Sequence, residues 1–444
     1  MFRMANSSAN SMERPSMTPR NSHSLPSRIS RRHCLKLAAA PLIGSLVAPM
    51  PGEAANGIEP IQPKLVAAVV TVYFYNSHSD VLLGKILEGW KQDGGPGPAL
   101  KLASVYIDQF PASDIGRAAC QKHGVPIFDS IEQAVTVGGQ SIPVDGVLSI
   151  GEHGDYPLNE QGQQLYPRRR FFEEITNTFE KYGRVVPVFN DKHLGPTWTD
   201  AQWMYDRARE RQIPLMAGSS MPVGYRIQDI PLPMNCEIEA AVGIGFSGLE
   251  IYGIHTLEFF QWHIERRRGA ERGVKSVQFL QGAEMWNMVD SGVVSQDAFD
   301  AAFAAVPKSG NPDVRQDEKA GMFLFEYVDG LRGAVFMLGC VSGTSVGIKL
   351  KGQSSPIAIA FDERTVPRHP HFACLLKGIE RMIHTGRPAY PVERTLLTSG
   401  ILDRALTSKW LGNKPLETPE LAISYRPVDA PYAPHIDLLA DPSK

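Results

Sequence analysis

Two residues of the sequence suit proton transfer to and from a hydroxyl group, Lys192 and His255. Lys192 follows a predicted strand and lies between Asp191 and His193, whose charges can tune the pKa of its ammonium group. Imidazole exchanges protons near neutral pH, as general acid/base catalysis requires. Glu258 lies three residues after His255, so both side chains would share one face of a helix. His255 and Glu258 could form an acid/base pair or supply two ligands of a metal ion. The structural alternatives are that Lys192 is a solvated loop lysine and that His255 packs at a helix start.

A second group of polar residues, Glu152–Asp155, follows the predicted strand Val144–Ile150. In a parallel sheet, the loop after a strand lies at the ligand crevice. The two acids and His153 in this loop could bind sugar hydroxyls or hold a cation, and a purely structural loop is equally compatible with the pattern. Asp108, at the end of an earlier predicted strand, could accept hydrogen bonds from an adenosine ribose, although acids at strand ends also cap helices.

Buried strands alternate with amphipathic helices over residues 64–219. This alternation implies parallel pairing through right-handed crossovers, and therefore an α/β fold with a Rossmann-like, doubly wound nucleotide-binding domain. Residues 220–414 predict an α+β domain with a largely antiparallel sheet, in which Asp329-Gly330 marks a hairpin. Within this second domain, one helix is predicted over Glu237–Gly245 and another over Ile254–Arg267.

The two ends of the chain differ from its middle. Paired arginines, Arg31-Arg32, precede a short apolar stretch, Leu35–Val47, and this arrangement resembles a twin-arginine export signal. Residues 1–55 are therefore predicted to be a signal peptide that directs the folded protein to the periplasm or beyond, without a permanent membrane anchor. Because this route carries folded proteins, a tightly held cofactor is expected. Residues 415–444 form a proline-rich C-terminal tail.

The composition is that of a soluble globular protein, with 43% hydrophobic residues, 21% charged residues and a net charge of −2. Nothing in this balance indicates nucleic acid or an anionic membrane as a partner. The basic run Arg168–Arg170 is predicted to be solvated at a helix end rather than to bind phosphate. The five cysteines lie far apart and contain no Cys-x-x-Cys pair, so they indicate no metal or redox motif.

Several short motifs, in their order along residues 64–412, resemble the family of glucose–fructose oxidoreductase, inositol dehydrogenase and MocA. The motifs are Val105–Asp108, Ala119–Val125, Val144–Leu148, Asn190–Gly195, Gly253–His255 and Gly386–Pro388 with Glu393. The resemblance implies that NAD or NADP binds to the first domain. It also implies that Lys192 touches both the nicotinamide ribose and a substrate hydroxyl, that His255 is the general acid/base, and that the open face of the second sheet pairs subunits into a homo-oligomer.

The sequence departs from the family pattern at two places. Members of the family have a glycine-rich turn after the first strand, whereas this chain has Tyr75–Asp80 without a glycine. Side chains there would crowd a pyrophosphate and Asp80 would repel it, although asparagine, serine and a helix N-terminus can still donate hydrogen bonds. The family's catalytic aspartate is replaced by Ile251, and the neighbouring Glu250 is expected to point elsewhere on a helix.

The sequence therefore favours an exported NAD(P)-dependent oxidoreductase that acts on a sugar, cyclitol or glycoside, with proton transfer by Lys192, His255 and Glu258. The residues expected to bind the cofactor are Asn76, Ser77, His78, Asp108, Glu152, His153, Asp191 and Lys192. Two alternatives use the same scaffold. One is a non-redox carbohydrate hydrolase or lyase, metal-dependent or not, and the other is a carbohydrate-binding protein without catalysis.

Overall fold

A computed structural model describes residues 61–246, 248–310 and 313–434. The predicted signal peptide and the end of the predicted tail, residues 435–444, lie outside the described residues, so export stays a prediction, as do the predicted domain boundaries. Among the helices that the structure describes, none is long and apolar enough to cross a membrane.

The first part of the described chain forms a six-stranded parallel sheet. Its strands are β1 (Lys64–Val70), β2 (Leu100–Ile107), β3 (Ile127–Phe128), β4 (Gly146–Ile150), β5 (Val188–Asp191) and β6 (Leu215–Gly218). The connecting helices are α1 (His78–Glu88), α2 (Gly116–His123), α3 (Ile131–Thr136), α4 (Arg168–Tyr182) and α5 (Trp198–Glu210). The strand order β3-β2-β1-β4-β5-β6 reverses between β1 and β4. The ligand crevice of such a sheet lies at the carboxyl ends of these two strands, and the predicted doubly wound sheet is confirmed.

The second sheet has seven strands in the order β12-β11-β7-β10-β9-β8-β13. Its strands are β7 (Ile238–Phe246), β8 (Val274–Gln281), β9 (Gly321–Tyr327), β10 (Arg332–Leu338), β11 (Ser345–Leu350), β12 (Ile357–Ala360) and β13 (Leu416–Glu417). The helices are α6 (Gly253–Ile264), α7 (Gly282–Asp290), α8 (Gln296–Ala305), α9 (Pro370–Thr385) and α10 (Val392–Trp410). All strand pairs are antiparallel except β7 with β10, which confirms the predicted, largely antiparallel sheet.

The prediction of a helix over Glu237–Gly245 is wrong, because this segment is the central strand β7. It pairs with β10 on one side and with β11 on the other. Helix α6 packs so closely on it that a Cβ at Gly245 would lie 2.0 Å from Thr256 Oγ1. The Glu- and Ala-rich sequence has a helical preference, but burial between two strands and a helix outweighs it.

Both faces of the second sheet are covered by helices of the same chain. One face packs against α6 and α10 through Leu257, Phe260 and Leu402. The other face packs against α7 and α8 through Trp286 and Phe299. The open sheet face that the family resemblance implied is therefore covered in this chain by its own helices.

Candidate functional site

A cavity of about 230 Å³ lies at the carboxyl edge of the first sheet. The chain reaches it at the start of α1, in the loop after β4, in the segment after β6, at the start of α6 and around the start of α9. Five histidines contribute to its wall, together with aromatic and polar side chains. The lining residues are Asn76, His78, Val81, His153, Ser220, Met221, Phe246, Tyr252, His255, Phe361, Glu363, His369, His371 and Phe372.

His78 and Asp191 meet at this cavity from different elements. His78 is the first residue of α1, whose N-cap Ser77 accepts a hydrogen bond from the backbone N–H of Asp80. Asp191 ends β5, and its Oδ2 lies 2.6 Å from His78 Nδ1. The Asp191 side chain is 1% exposed and the His78 side chain 13% exposed. The buried carboxylate therefore orients the imidazole, which leaves His78 Nε2 for a ligand.

His255 lies in the first turn of α6, and its Nδ1 is 2.6 Å from Ser219 Oγ. Burial holds the pKa of His255 well below its usual range, and the positive charge of Lys192 lowers it further. Its imidazole is consequently neutral at pH 7. The ring centroids of His255 and His78 are 6.2 Å apart, so two imidazoles from distant parts of the sequence face the same small volume.

Behind these histidines, Glu152 joins two buried cations. Its Oε1 lies 2.6 Å from Lys192 Nζ, and its Oε2 lies 2.7 Å from Arg168 Nη2. Burial alone would raise the pKa of Glu152, but Lys192 and Arg168 together outweigh burial and hold the pKa well below its usual range. Lys192 thus contributes its positive charge near His255, while its ammonium group is engaged by Glu152.

Arg168 was missed by the sequence analysis, which predicted solvated arginines at this helix end. Its side chain is 0% exposed, and its Nη1 lies 3.0 Å from His193 Nε2. His193 Nε2 also lies 3.3 Å from Glu250 Oε1. Glu250 precedes α6 instead of lying on a helix as expected, and it faces His193 and does not line the cavity. The two acids Glu152 and Glu250 are the signal that could have indicated a buried Arg168, because buried carboxylates need cations as partners.

Glu258 lies apart from the cavity. Its Oε1 accepts a hydrogen bond of 2.6 Å from Thr398 on α10, and its side chain is fully buried. Burial raises its pKa, and the opposing effect of Arg394 is smaller. Although His255 and Glu258 are both on α6, the first bonds to Ser219 and the second to α10, so the structure does not bring them together as an acid/base pair.

Asp108 is already hydrogen-bonded within the chain. Its Oδ1 accepts from Tyr106 at 2.6 Å and from Arg170 at 2.5 Å, and its Oδ2 accepts from Tyr156 at 2.6 Å. The next residue, Gln109, forms two hydrogen bonds with the backbone of Asp155. The loops after β2 and β4 are thereby linked across the end of β1, where a dinucleotide would connect its two halves.

The turn before α1 is filled by a segment from beyond the second sheet, residues 364–371, which we call the strap. Arg368 Nη1 donates to Asn76 Oδ1 at 2.9 Å and Arg368 Nε donates to Gln92 Oε1 at 2.5 Å, while its Nη2 forms an ion pair with Asp80. Asp80 also accepts from the backbone N–H of Asn76 at 2.8 Å. Because the chain's own groups use this turn, the residues do not fit a pyrophosphate in the described conformation.

Metal ligation was the other possibility for these side chains. Within the described residues, no group of three or more His, Cys, Asp or Glu side chains is arranged to hold a metal ion.

The fold is similar to that of solved inositol dehydrogenases and of GenD2. A structure of apo scyllo-inositol dehydrogenase from Lactobacillus casei has a TM-score of 0.52 at 11% identity, covering 80% of this chain and 98% of that one. GenD2 from gentamicin A biosynthesis, in complex with NAD, has a TM-score of 0.51 at 12% identity, with 81% and 97% covered. The myo-inositol dehydrogenase of Lactobacillus casei, in complex with NAD(H) and myo-inositol, gives 0.50 at 10%, with 80% and 97% covered.

At this level of identity the likeness shows the fold, and it confirms the fold resemblance predicted from the sequence motifs. No protein-family model matches the sequence. The comparison with curated proteins gives no significant match.

Proposed function

We propose that this chain is an oxidoreductase that acts on a sugar- or cyclitol-like polyol in the histidine-lined cavity. The observation that carries the proposal is the cavity itself, which lies at the carboxyl ends of β1 and β4 and combines five imidazoles with aromatic rings. The fold likeness to inositol dehydrogenases, and to GenD2 from gentamicin A biosynthesis in complex with NAD, supports the same substrate class.

The chemistry of the lining suits a neutral polyol. A neutral imidazole has one donor and one acceptor nitrogen, so it can match a hydroxyl group in either direction. Burial lowers the pKa of His153 to about 4 and that of His371 to about 3, and both are therefore uncharged at pH 7. The rings of Tyr252 and Phe372 line the same cavity and offer apolar faces to the C–H groups of a sugar ring.

A direct contact with the reacting hydroxyl is proposed for His255. Its Nδ1 is engaged by Ser219, so its Nε2 is the nitrogen that remains for the substrate. The nearby charge of Lys192 stabilises an alkoxide that forms when the hydroxyl loses its proton. In this proposal Lys192 acts through its charge, because its ammonium group is bonded to Glu152.

Oxidation of an alcohol also requires a hydride acceptor, for which NAD or NADP is the expected class. The turn before α1 does not fit its pyrophosphate, because Arg368 and Asp80 occupy that turn. A dinucleotide in the usual position would have to displace this ion pair and the link between Asp108 and Tyr156.

The same closed turn favours a second candidate, a non-redox enzyme that uses the cavity for acid/base chemistry on a carbohydrate. Such an enzyme needs no dinucleotide, and the five imidazoles of the cavity can supply both a proton donor and a proton acceptor. A carbohydrate-binding protein without catalysis would bind the same ligands unchanged.

One experiment separates the three. The purified protein is incubated with a panel of neutral cyclitols, hexoses and glycosides, with and without NAD or NADP. Reduced nicotinamide is followed by absorbance and the products by mass spectrometry. Polyol-dependent reduction that is lost in His255→Gln supports the oxidoreductase. A product that forms equally without a dinucleotide favours the non-redox enzyme, and binding of a polyol without any product favours the binding protein.

A further inference from the structure

We propose that His78 and Asp191 form the proton-accepting pair of the cavity, with His78 as a catalytic residue and Asp191 as the residue that positions it. The inference rests on the proposed function and refines it. His255 keeps its contact with the reacting hydroxyl, and the proton is taken up by His78. The histidine thus lies in the turn where a dinucleotide fold has its glycines.

The geometry distinguishes His78 from the other cavity histidines. Within the described residues it is the one cavity histidine with a carboxylate in ion-pair range, at 2.6 Å. His255 is instead bonded to a hydroxyl group, Ser219 Oγ. Asp191 Oδ1 is buried and has no hydrogen-bond partner within the described part of the chain, so the negative charge of Asp191 is directed at His78. A carboxylate held against Nδ1 stabilises the imidazolium that forms when Nε2 takes a proton.

His78 is rigidly placed. Its ring packs edge-to-face on Phe372, with centroids 4.9 Å apart, and on His153, with centroids 5.6 Å apart. Ser77 caps the helix that begins with His78, and Ser79 Oγ donates to the carbonyl of Val72 at 2.7 Å. A catalytic base must lie within hydrogen-bond reach of one hydroxyl, and these contacts fix the imidazole for that purpose.

The proposed step conserves atoms and electrons. The O–H bond of a substrate hydroxyl breaks, and a bond forms between that proton and His78 Nε2. The electron pair stays on the oxygen as an alkoxide, close to the charge of Lys192. The imidazolium donates its Nδ1–H to Asp191. In the reverse direction, His78 Nε2 returns the proton to the alkoxide oxygen.

Several other charged or titratable groups face His78 and contribute to its protonation. They are Glu152 and His153 in the loop after β4, Asp191 on β5, His255 on α6, and His369 and His371 at the start of α9. The two carboxylates favour the imidazolium and the neighbouring imidazoles oppose it only when they are charged. Burial lowers the pKa of His255, His369 and His371, and these rings are therefore uncharged at neutral pH.

The test is a pH titration of the histidine rings by NMR, with the His78 signal assigned from the spectrum of His78→Gln. Asp191→Asn should lower the pH at which the His78 ring takes up its proton by about one unit or more, because an opposite charge at this distance shifts a pKa by about 1–3 units. Glu88→Gln is the matched control, since Glu88 holds His123 at the same distance, 2.6 Å, at the surface.

The outcomes are distinct. A His78 titration that is unaffected by Asp191→Asn overturns the proposal. For any polyol that the wild type converts, Asp191→Asn should lower kcat by about 10²-fold or more and move the acidic limb of kcat/KM to lower pH, whereas Glu88→Gln should change neither. If the expected titration is observed but no polyol reacts, the pair stands and the proposed function fails.

Discussion

Glu152 is compensated from two sides by buried cations, and its removal should be costly. Glu152→Gln leaves Lys192 and Arg168 without a counter-charge in a buried position. Because breaking a buried ion pair costs about 3–5 kcal/mol, the variant should lose that much free energy of unfolding at pH 7. Glu174→Gln breaks the exposed pair with Arg170, at 3.1 Å, and should cost about 1 kcal/mol or less. Urea titrations of the three proteins measure the difference, and equal losses in both variants would contradict the argument.

Glu152 should also make the free energy of unfolding depend on pH in the acid range. The folded-state pKa of Glu152 lies well below its usual range, so its contribution is present above the pKa of the unfolded chain. It is lost as the pH falls through the folded-state pKa. Wild-type stability should therefore fall below about pH 4.5 more steeply than that of Glu152→Gln, as urea midpoints across this range would show. Parallel profiles for the two proteins would mean that Glu152 is not the group responsible.

For Glu258 we expect the opposite pH dependence of stability. Burial raises its pKa, so its contribution to stability is present below the pKa of the unfolded chain and is lost as the pH rises through the folded-state pKa. Glu258→Gln should reduce the loss of stability that the wild type shows as the pH rises above about 4.3, measured by urea unfolding. Because Glu258 bonds to Thr398 and does not line the cavity, we also expect this variant to keep the activity that His255→Gln loses. A loss of activity as large as that of His255→Gln would place Glu258 in the reaction.

The positions of single residues at strand ends and helix starts were easier to predict than their partners. His78, His153 and His255 all line one cavity, as strand-end and helix-start positions suggested. Periodicity and motif order do not encode contacts between distant segments, so the pairing of His78 with Asp191, 113 positions later, was not predictable. The contacts of Asp108 and Arg168 could not be predicted for the same reason, since their partners lie in other loops.

At the scale of elements, local signals succeeded where one neighbour decides the conformation. The Asp329-Gly330 hairpin joins β9 and β10 in register, as its turn chemistry predicted. The segment of β7 failed because its two strand neighbours, β10 and β11, lie about a hundred positions away. The closure of the α1 turn by the strap has the same long-range origin.

The strap makes a prediction about nucleotide binding. If the ion pair between Arg368 and Asp80 closes the α1 turn, removing both charges in the double variant Asp80→Asn/Arg368→Ala should strengthen the binding of ADP-ribose. We expect calorimetry to show about a tenfold gain in affinity. If about one molecule in ten has an open turn, the apparent affinity is about tenfold weaker than that of the open form. The matched control is Asp362→Asn/Arg364→Ala. It removes an exposed ion pair of 2.7 Å between Arg364, the first residue of the strap, and Asp362, which lies just before the strap. Equal affinities in all three proteins would show that this ion pair is not what closes the turn.

Gly218 connects β6 to Ser219, the partner of His255. Its φ is +123°, and a Cβ there would lie 2.5 Å from Glu258 Oε2 and 2.8 Å from Thr395 Oγ1. Gly218→Ala should therefore cost about 2–5 kcal/mol from strain and overpacking combined. Gly248→Ala is the control, because its Cβ would meet no atom within 4 Å, and it should be nearly neutral in urea unfolding. A neutral Gly218→Ala would mean that β6 can shift, and with it the hydroxyl that holds His255.

At the scale of the whole molecule, the expectation of an oligomer rested on an open face of the second sheet, and helices of the same chain cover that face. The homo-oligomer stays a prediction, but the face that would have paired subunits carries α7 and α8. The described residues belong instead to one compact unit, in which α10 packs against β8 of the second sheet and β6 of the first.

This shared helix predicts cooperative unfolding of both sheets. Leu397 of α10 is fully buried in the core of the second sheet, and the adjacent Leu396 contributes to the core of the first. Loss of α10 packing should therefore destabilise both sheets together. Leu397→Ala should cost about 2–5 kcal/mol and shift a single urea transition, with far-UV circular dichroism and tryptophan fluorescence still coinciding. Trp203 on α5 and Trp286 on α7 report on the two sheets separately. If single-tryptophan proteins retaining only one of these two unfolded at different urea concentrations, the sheets would be independent, and the cavity between their elements could open without global unfolding.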